Sequence, residues 1–342
     1  MKVAPLVKRI LLRMISTLFG LIIGLFLAEI CCRFFSFGLE AFAVKKTDSF
    51  VSIGYSGYLQ PAENQFVWYE LKPNLNASFK LNPLHTNSRG LRDKEYALKK
   101  PPGTYRIAVI GDSFVFGDGV EIEETFHSIA EEKLNMLSDS INFEFLNFGL
   151  GGYDLLNYLG VIENKALAYK PDLILIGFCG NNDDDLPEAR QYSERFSGYK
   201  FEKYSWFIRH FQVLRTVGNH ISIRRRLENE AKNKKHEAKQ EHMRQFFAEY
   251  ACLRDMHQVP MMVYYLSMAD AAESKAKYVA ELCQNNGFHF LDSSPEVNKI
   301  KDISQYWFHR SDHHPNADMH ALYADILLKS FVEVKHELAL FP

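Results

Sequence analysis

Between Arg106 and Leu328 the chain alternates short, continuous apolar runs with longer stretches that carry apolar residues on one face only. The short runs are Ile107–Ile110, Phe143–Leu146, Leu173–Phe178, Met261–Leu266 and Phe288–Leu291. Runs of this length, bounded by Gly, Pro and Asn, read as strands buried on both faces. Between them, Glu123–Leu137 places Phe126, Ile129, Ala130, Leu134 and Leu137 at helical spacing. Leu155–Tyr169, Ala271–Cys283 and Ala317–Leu328 also read as helices. Strands separated by helices imply parallel βαβ units, with a helical layer on each face of one sheet. In such a sheet, chemistry gathers at the carboxyl ends of the strands.

The N-terminus follows a different pattern. Met14–Cys32 is apolar apart from Glu29 near its far end, and its length suits a bilayer-crossing helix. Lys2, Lys8, Arg9 and Arg13 precede it, whereas Arg33, Lys45 and Lys46 beyond it are interleaved with Glu40 and Asp48. The positive-inside bias then predicts a cytoplasmic N-terminus and an exported body. Two rivals fit less well. A signal-peptidase site at Ala41-Phe42-Ala43 lies far from the apolar core Leu18–Ala28, and a lipid anchor at Cys31 lacks the small residues expected before it. Residues 1–37 are therefore read as a stub and anchor. Residues 38–104, with turn-rich pieces such as Tyr55-Ser56-Gly57-Tyr58 and Lys72-Pro73-Asn74, are read as a connector packed on a catalytic domain over 105–335. Residues 186–250 interrupt the strand–helix rhythm and read as a helical insertion. Within them, Arg224–Lys239 is densely charged, as a solvated helix face would be.

Composition narrows the classes. With 342 residues, 47% hydrophobic and 14% aromatic, the chain can fill a sizeable core, which excludes wholesale disorder. A net charge of −2 supplies no field for nucleic acid. The five cysteines, Cys31, Cys32, Cys179, Cys252 and Cys283, match no zinc or redox spacing, and a Cys252–Cys283 bridge stays open. Asn76-Ala77-Ser78 fits a glycosylation sequon, a pattern short enough to occur by chance.

Four short segments fall at carboxyl ends of the strands or just before the last helix. Gly111-Asp112-Ser113 follows the first strand and puts a serine on a tight turn before a helix. Asn147-Phe148-Gly149-Leu150-Gly151-Gly152 follows the second, where glycine lets backbone N–H groups approach a ligand. Gly180-Asn181-Asn182-Asp183 follows the third and offers a side-chain amide. Asp312-His313-His314-Pro315-Asn316 opens the last helix and pairs a carboxylate with a histidine two residues on. Taken singly, each is an ordinary turn. His309, His313, His314 and His320 with Asp312 could be read as metal ligands, but they cluster without a second group.

Together and in this order, the four segments resemble the sequence blocks of SGNH hydrolases, also called the GDSL family. The likeness covers about residues 104–335, and weakly Thr86-Asn87-Ser88-Arg89-Gly90-Leu91-Arg92 upstream. It implies a three-layer, flavodoxin-like parallel sheet, with Ser113 as nucleophile and Asp312 and His314 as the acid–base pair. It further implies an oxyanion hole from Ser113, Gly152 and Asn182, and neither cofactor nor metal. One departure stands out: many members place Asp three residues before the histidine, where this chain has Ser311. The anchor makes the chain similar to bacterial envelope members of the family. The expected setting is the inner membrane, crossed once, with the catalytic domain on the periplasmic or extracellular side. The expected substrate is an ester-bearing envelope glycan or lipid. Hydrolysis, acyl transfer from the same site and a non-catalytic binding module stay open at this point, as does the oligomeric state.

Overall fold

The computed structural model describes residues 3–64, 66–180, 207, 210–218, 235–268 and 273–334. Helix α1 (Val3–Phe37) leads through a short turn into α2 (Val44–Ser49). Two hairpins follow, β1 (Leu59–Pro61) with β2 (Tyr69–Leu71), and β3 (Asn76–Phe79) with β4 (Asn82–His85). The alternating part then runs β5 (Thr104–Gly111), the single turn α3 (Ser113–Phe116), α4 (Phe126–Leu137), β6 (Asn142–Asn147), α5 (Leu155–Asn164) and β7 (Leu173–Phe178). It continues with α6 (Lys235–His257), β8 (Met261–Tyr265), α7 (Glu273–Asn286), β9 (His289–Asp292) and the single turn α8 (Ser294–Val297). A last hairpin, β10 (Trp307–His309) with β11 (Asp312–Pro315), precedes α9 (Ala317–Val334).

Five strands form one parallel sheet in the order β6-β5-β7-β8-β9, the flavodoxin-like arrangement. The continuous apolar runs hide a period of two, which is how one strand serves two cores. Ile107 and Val109 of β5, Leu173 and Leu175 of β7, and Met262 and Tyr264 of β8 join a core shared with α4 and α9. Their neighbours Ala108, Ile110, Ile174, Ile176, Met261 and Val263 face the opposite way, into a core shared with α5, α6 and α7. The result is three layers, helix on sheet on helix.

Element ends follow local chemistry. Helix α4 begins at Phe126 rather than Glu123, because Ile122–Glu124 closes a separate 3-10 turn. The stretch Leu155–Tyr169 is not one helix: α5, capped by Asp154 on the Asn157 N–H, stops at Asn164, and Ala166–Tyr169 forms a 3-10 turn ended by left-handed Lys170. Part of the interval read as an insertion, from Lys235 onward, is core helix, with Met243, Phe246, Phe247 and Tyr250 buried. Most of the charged stretch Arg224–Lys239 lies outside the described residues. None of the five cysteines is joined in a disulfide among the described residues.

Helix α1 is long and apolar enough to cross a membrane, and none of its most apolar stretch is buried. Its far end is joined to the body. The Glu29 carboxylate accepts hydrogen bonds from the N–H groups of Gln212 and Val213, each 2.8 Å long, at the start of the helical residues 212–218. This explains the single acid in the apolar run: it caps another helix. Arg33 binds Glu29 and Asp48 at 2.6 Å each and donates to the His210 carbonyl. The Arg310 guanidinium donates to the Ser36 carbonyl at 3.1 Å, tying the β10–β11 turn to the last turn of α1.

Two residues at the tip of the β3–β4 hairpin have backbone conformations that L-residues rarely take. Phe79 pairs with Asn82, leaving Lys80 (φ 47°) and Leu81 (φ 71°) as the central residues of a two-residue turn. Positive φ at both positions is the habit of Asn-Gly turns, and each ordinary residue held there costs about 1–3 kcal/mol.

Candidate active site

Strand β5 delivers the first component. At its carboxyl end Asp112 is fully buried, and its Oδ1 accepts the Phe114 N–H at 2.9 Å, which caps the turn carrying Ser113. The thiol of Cys179, a half-buried residue just past β7, donates to Asp112 Oδ2 at 2.9 Å. Burial pushes the Asp112 carboxyl above its ordinary range, against the pull of these two hydrogen bonds. Asp112 therefore shapes the turn and is turned away from proton exchange with the serine. Gly149 is obligatory behind it: an added Cβ would stand 2.5 Å from the Phe116 backbone nitrogen.

The last hairpin delivers the second component. Side chains alternate along β11, so Asp312 and His314 share one face while His313 leaves on the other. The His313 ring stacks on Trp307 with centroids 3.8 Å apart. His314 Nε2 lies 2.9 Å from Ser113 Oγ, and His314 Nδ1 is hydrogen-bonded to Asp312 Oδ1. With Nδ1 carrying the ring hydrogen toward the carboxylate, Nε2 is the acceptor facing the serine hydroxyl. Burial works against a charged Asp312, but the His314 hydrogen bond and the Lys80 ammonium outweigh it and hold the carboxyl well below the usual carboxylate range.

The glycine-rich segment after β6 lies against the serine. A Cβ on Gly151 would stand 3.7 Å from the Ser113 Cβ, and Tyr69 on β2 holds the turn by donating to the Gly151 carbonyl at 2.9 Å. Gly152 has φ +86° and is exposed, and a Cβ there would meet the Tyr69 hydroxyl at 2.8 Å. Among the described residues, neither the Ser113 N–H nor the Gly152 N–H has a hydrogen-bond partner. Asn182, together with Asp183, Asp184 and Asp185, lies outside the described residues.

The other histidines disperse. His320 is fully buried, stacked on Phe126, and accepts the Phe126 N–H at 3.3 Å; burial drives its imidazole down to about 3. His309 bonds to Ser311 and packs on Phe50. Among the described residues no group of three or more His, Cys, Asp or Glu is placed to hold a metal ion.

Three site neighbours lie outside the four chemistry-bearing segments, and of these only Arg92, in the weakly resembling stretch Thr86–Arg92, carries any sequence signal. Lys80, from the tip of the β3–β4 hairpin, is 3% exposed, and its Nζ lies 2.6 Å from Asp312 Oδ2 and 2.9 Å from Asp118 Oδ2. Asp118 follows α3, donates its N–H to the Ser113 carbonyl at 3.0 Å, and sets Oδ2 3.5 Å from His314 Nε2. Arg92, in the upstream stretch Thr86–Arg92, donates to the carbonyls of Phe116, Gly117 and Val120 and so frames the Asp118 loop.

No family model matches the chain, and no curated protein does. Solved structures that it is similar to include esterases and a GDSL-like lipase. One is a two-domain esterase active on acetylated mannans: 15% identity, TM-score 0.45, covering 69% of this chain and 50% of that one. The chain thus spans about half the length of that esterase. A catalytic mutant of the acetylxylan esterase Axe2 from Geobacillus stearothermophilus has 15% identity and a TM-score of 0.41, covering 66% of this chain and 93% of that one. A GDSL-like lipase from Bacteroides thetaiotaomicron has 13% identity and a TM-score of 0.39, covering 67% and 88% respectively.

Proposed function

We propose that the protein is a membrane-anchored serine esterase that cleaves an O-acyl ester of an envelope glycan or lipid through an acyl-enzyme. One observation carries this reading: Ser113 Oγ, His314 Nε2 and Asp312 Oδ1 form an unbroken hydrogen-bonded chain at the carboxyl edge of the sheet, with the serine–imidazole distance at 2.9 Å. His314 accepts the Ser113 proton as the hydroxyl attacks the ester carbonyl. Asp312 orients the ring and stabilises the imidazolium that forms. The Ser113 and Gly152 N–H groups, with the Asn182 side-chain amide as third donor, hold the developing oxyanion, where each donor supplies about 2.7–4 kcal/mol. The imidazolium then protonates the leaving alcohol, and water repeats the sequence on the acyl-enzyme. The length and apolarity of helix α1, with the basic residues before its apolar stretch, support an anchor whose N-terminus is cytoplasmic.

The test is reaction of the full-length protein in detergent with a fluorophosphonate probe, paired with hydrolysis of acetylated sugars and of short and long acyl esters. Wild type is expected to label and turn over, and Ser113→Ala to do neither while melting at the same temperature. Equal ester hydrolysis by Ser113→Ala, or no labelling of folded wild type, overturns the reading. Product recovered on an added sugar hydroxyl instead of water would redirect it to acyl transfer.

A further inference from the structure

The site contains more charge than a serine, a histidine and one carboxylate require. Two carboxylates flank the His314 ring. Asp312 bonds to Nδ1 from the same strand, and Asp118 places Oδ2 3.5 Å from Nε2, the nitrogen that faces Ser113. Left to itself, Asp118 is a rival for the proton that Nε2 takes from the serine. A carboxylate at that position would hold the proton on the ring and away from a leaving alcohol.

Lys80 stands between the two acids. Its ammonium bonds Asp312 Oδ2 and Asp118 Oδ2 at 2.6 and 2.9 Å, and the side chain is 3% exposed. The other Asp118 oxygen, Oδ1, is buried and has no hydrogen-bond partner among the described residues, so Lys80 is the counter-charge that Asp118 depends on. Among the described residues, the remaining titratable groups near the ring are Asp112 at the nucleophile turn and His320 on α9, which burial drives toward their neutral forms. Arg92 lies behind the Asp118 loop.

The backbone supplies an independent argument. Lys80 and Leu81 sit in left-handed conformations that an Asn-Gly pair would adopt without strain. Strain of this kind persists where the surroundings over-determine it. Asn82, next in the chain, donates to the Gly119 carbonyl at 2.7 Å, clamping the tip to the loop that carries Asp118. Phe79, the residue before, stacks edge-on against Phe116 of the nucleophile turn. The hairpin is thus held at both flanks of the lysine by the elements that present Ser113.

We propose that Lys80 is a positioning residue of the esterase site, bridging Asp312 and Asp118 so that His314 Nε2 exchanges its proton with Ser113 and substrate rather than with Asp118. The inference rests on the esterase reading above. Lys80 fixes which Asp312 oxygen faces Nδ1 and draws the Asp118 charge away from Nε2. It touches neither substrate nor the reacting atoms.

The experiment is the pH profile of kcat/KM for full-length Lys80→Met, Asp118→Asn, the double variant and Lys80→Arg, with thermal melts for each. Removing the ammonium leaves two carboxylates facing the ring, so the protonated, inactive form persists to higher pH. The acid limb of Lys80→Met is expected to move up by about one pH unit or more, with kcat falling roughly tenfold to hundredfold. Asp118→Asn removes the anion near Nε2 and moves the limb down. The double variant returns it toward wild type, and Lys80→Arg recovers part of kcat. A structural role alone would lower activity without moving the limb. Should Lys80→Met fail to fold, Asp118→Asn decides: a limb unmoved or moved up overturns the proposal, as does an unmoved limb in folded Lys80→Met. Failure of the esterase reading is separate, since wild type would then show no Ser113-dependent turnover.

Discussion

Replacing Asp312 by Asn tests the hydrogen-bonded chain at its far end. The substitution keeps the shape but removes the charge that holds the His314 hydrogen on Nδ1. An amide can present either its carbonyl or its NH2 group to the ring, and the second choice turns Nε2 from acceptor to donor, which leaves Ser113 without a base. In serine enzymes with this arrangement the change lowers kcat by roughly 10⁴-fold, equivalent to about 5 kcal/mol of barrier. A stability effect accompanies it. Lys80 loses one of its two carboxylates and keeps Asp118 at 2.9 Å. Stranding a buried charge altogether costs about 3–5 kcal/mol, so with one partner left the loss should be about 1–3 kcal/mol. The pH dependence has a definite sign. The Asp312 carboxyl is held below its ordinary value in the folded chain, so its contribution is full above about pH 4 and disappears as pH falls toward the folded value. The stability gap between wild type and Asp312→Asn should therefore narrow on acidification. Ester hydrolysis measured beside urea unfolding at neutral pH and at about pH 3 checks both parts. A variant within tenfold of wild-type kcat/KM, or a gap that widens in acid, would refute the reasoning.

Two further outcomes follow from the same geometry. Gly152→Ala should lower kcat by about 10²-fold with little change in KM, because φ +86° strains the new residue and its Cβ meets the Tyr69 hydroxyl at 2.8 Å, displacing the N–H assigned to the oxyanion; steady-state kinetics read the split. His320, buried and neutral down to about 3, contributes stability that is complete above its unfolded value near 6.5 and is lost as pH falls through that window. Relative to wild type, His320→Gln should thus lose about 2 kcal/mol less between about pH 6.5 and 4.5, measured by urea titration at the two pH values.

The sheet was legible because its cause is local and repeated. The apolar run Leu173–Phe178 coincides with β7, and the other four strands differ from their apolar runs only at the ends. The Asp312–His314 spacing was equally legible, since a strand puts alternate residues on one face whatever surrounds it. Helix starts were less so: Glu123 has helical spacing to Phe126, but the chain closes a 3-10 turn first. Lys80 was invisible for a deeper reason. Nothing in Phe79-Lys80-Leu81-Asn82 advertises a two-residue turn, and local propensity argues against one. Its conformation and its purpose both come from residues distant in sequence, Asp118 and Asp312, which no short window contains. Glu29 is a parallel case. An acid in an apolar helix reads as a blemish until the start of 212–218 is seen to need it.

The junction at the end of α1 bears on how this protein can be handled. Cutting the chain after Phe37 to obtain a water-soluble piece would remove Glu29 and Arg33 together. The truncated body would present two unanswered amides at Gln212 and Val213, and Asp48 would lose its 2.6 Å partner Arg33 while keeping Arg215 at 3.9 Å. The Arg310 anchor on Ser36, two residues from Asp312, would be severed by the same cut. The apolar helix is in this sense a fitted part of the folded unit, not a detachable handle.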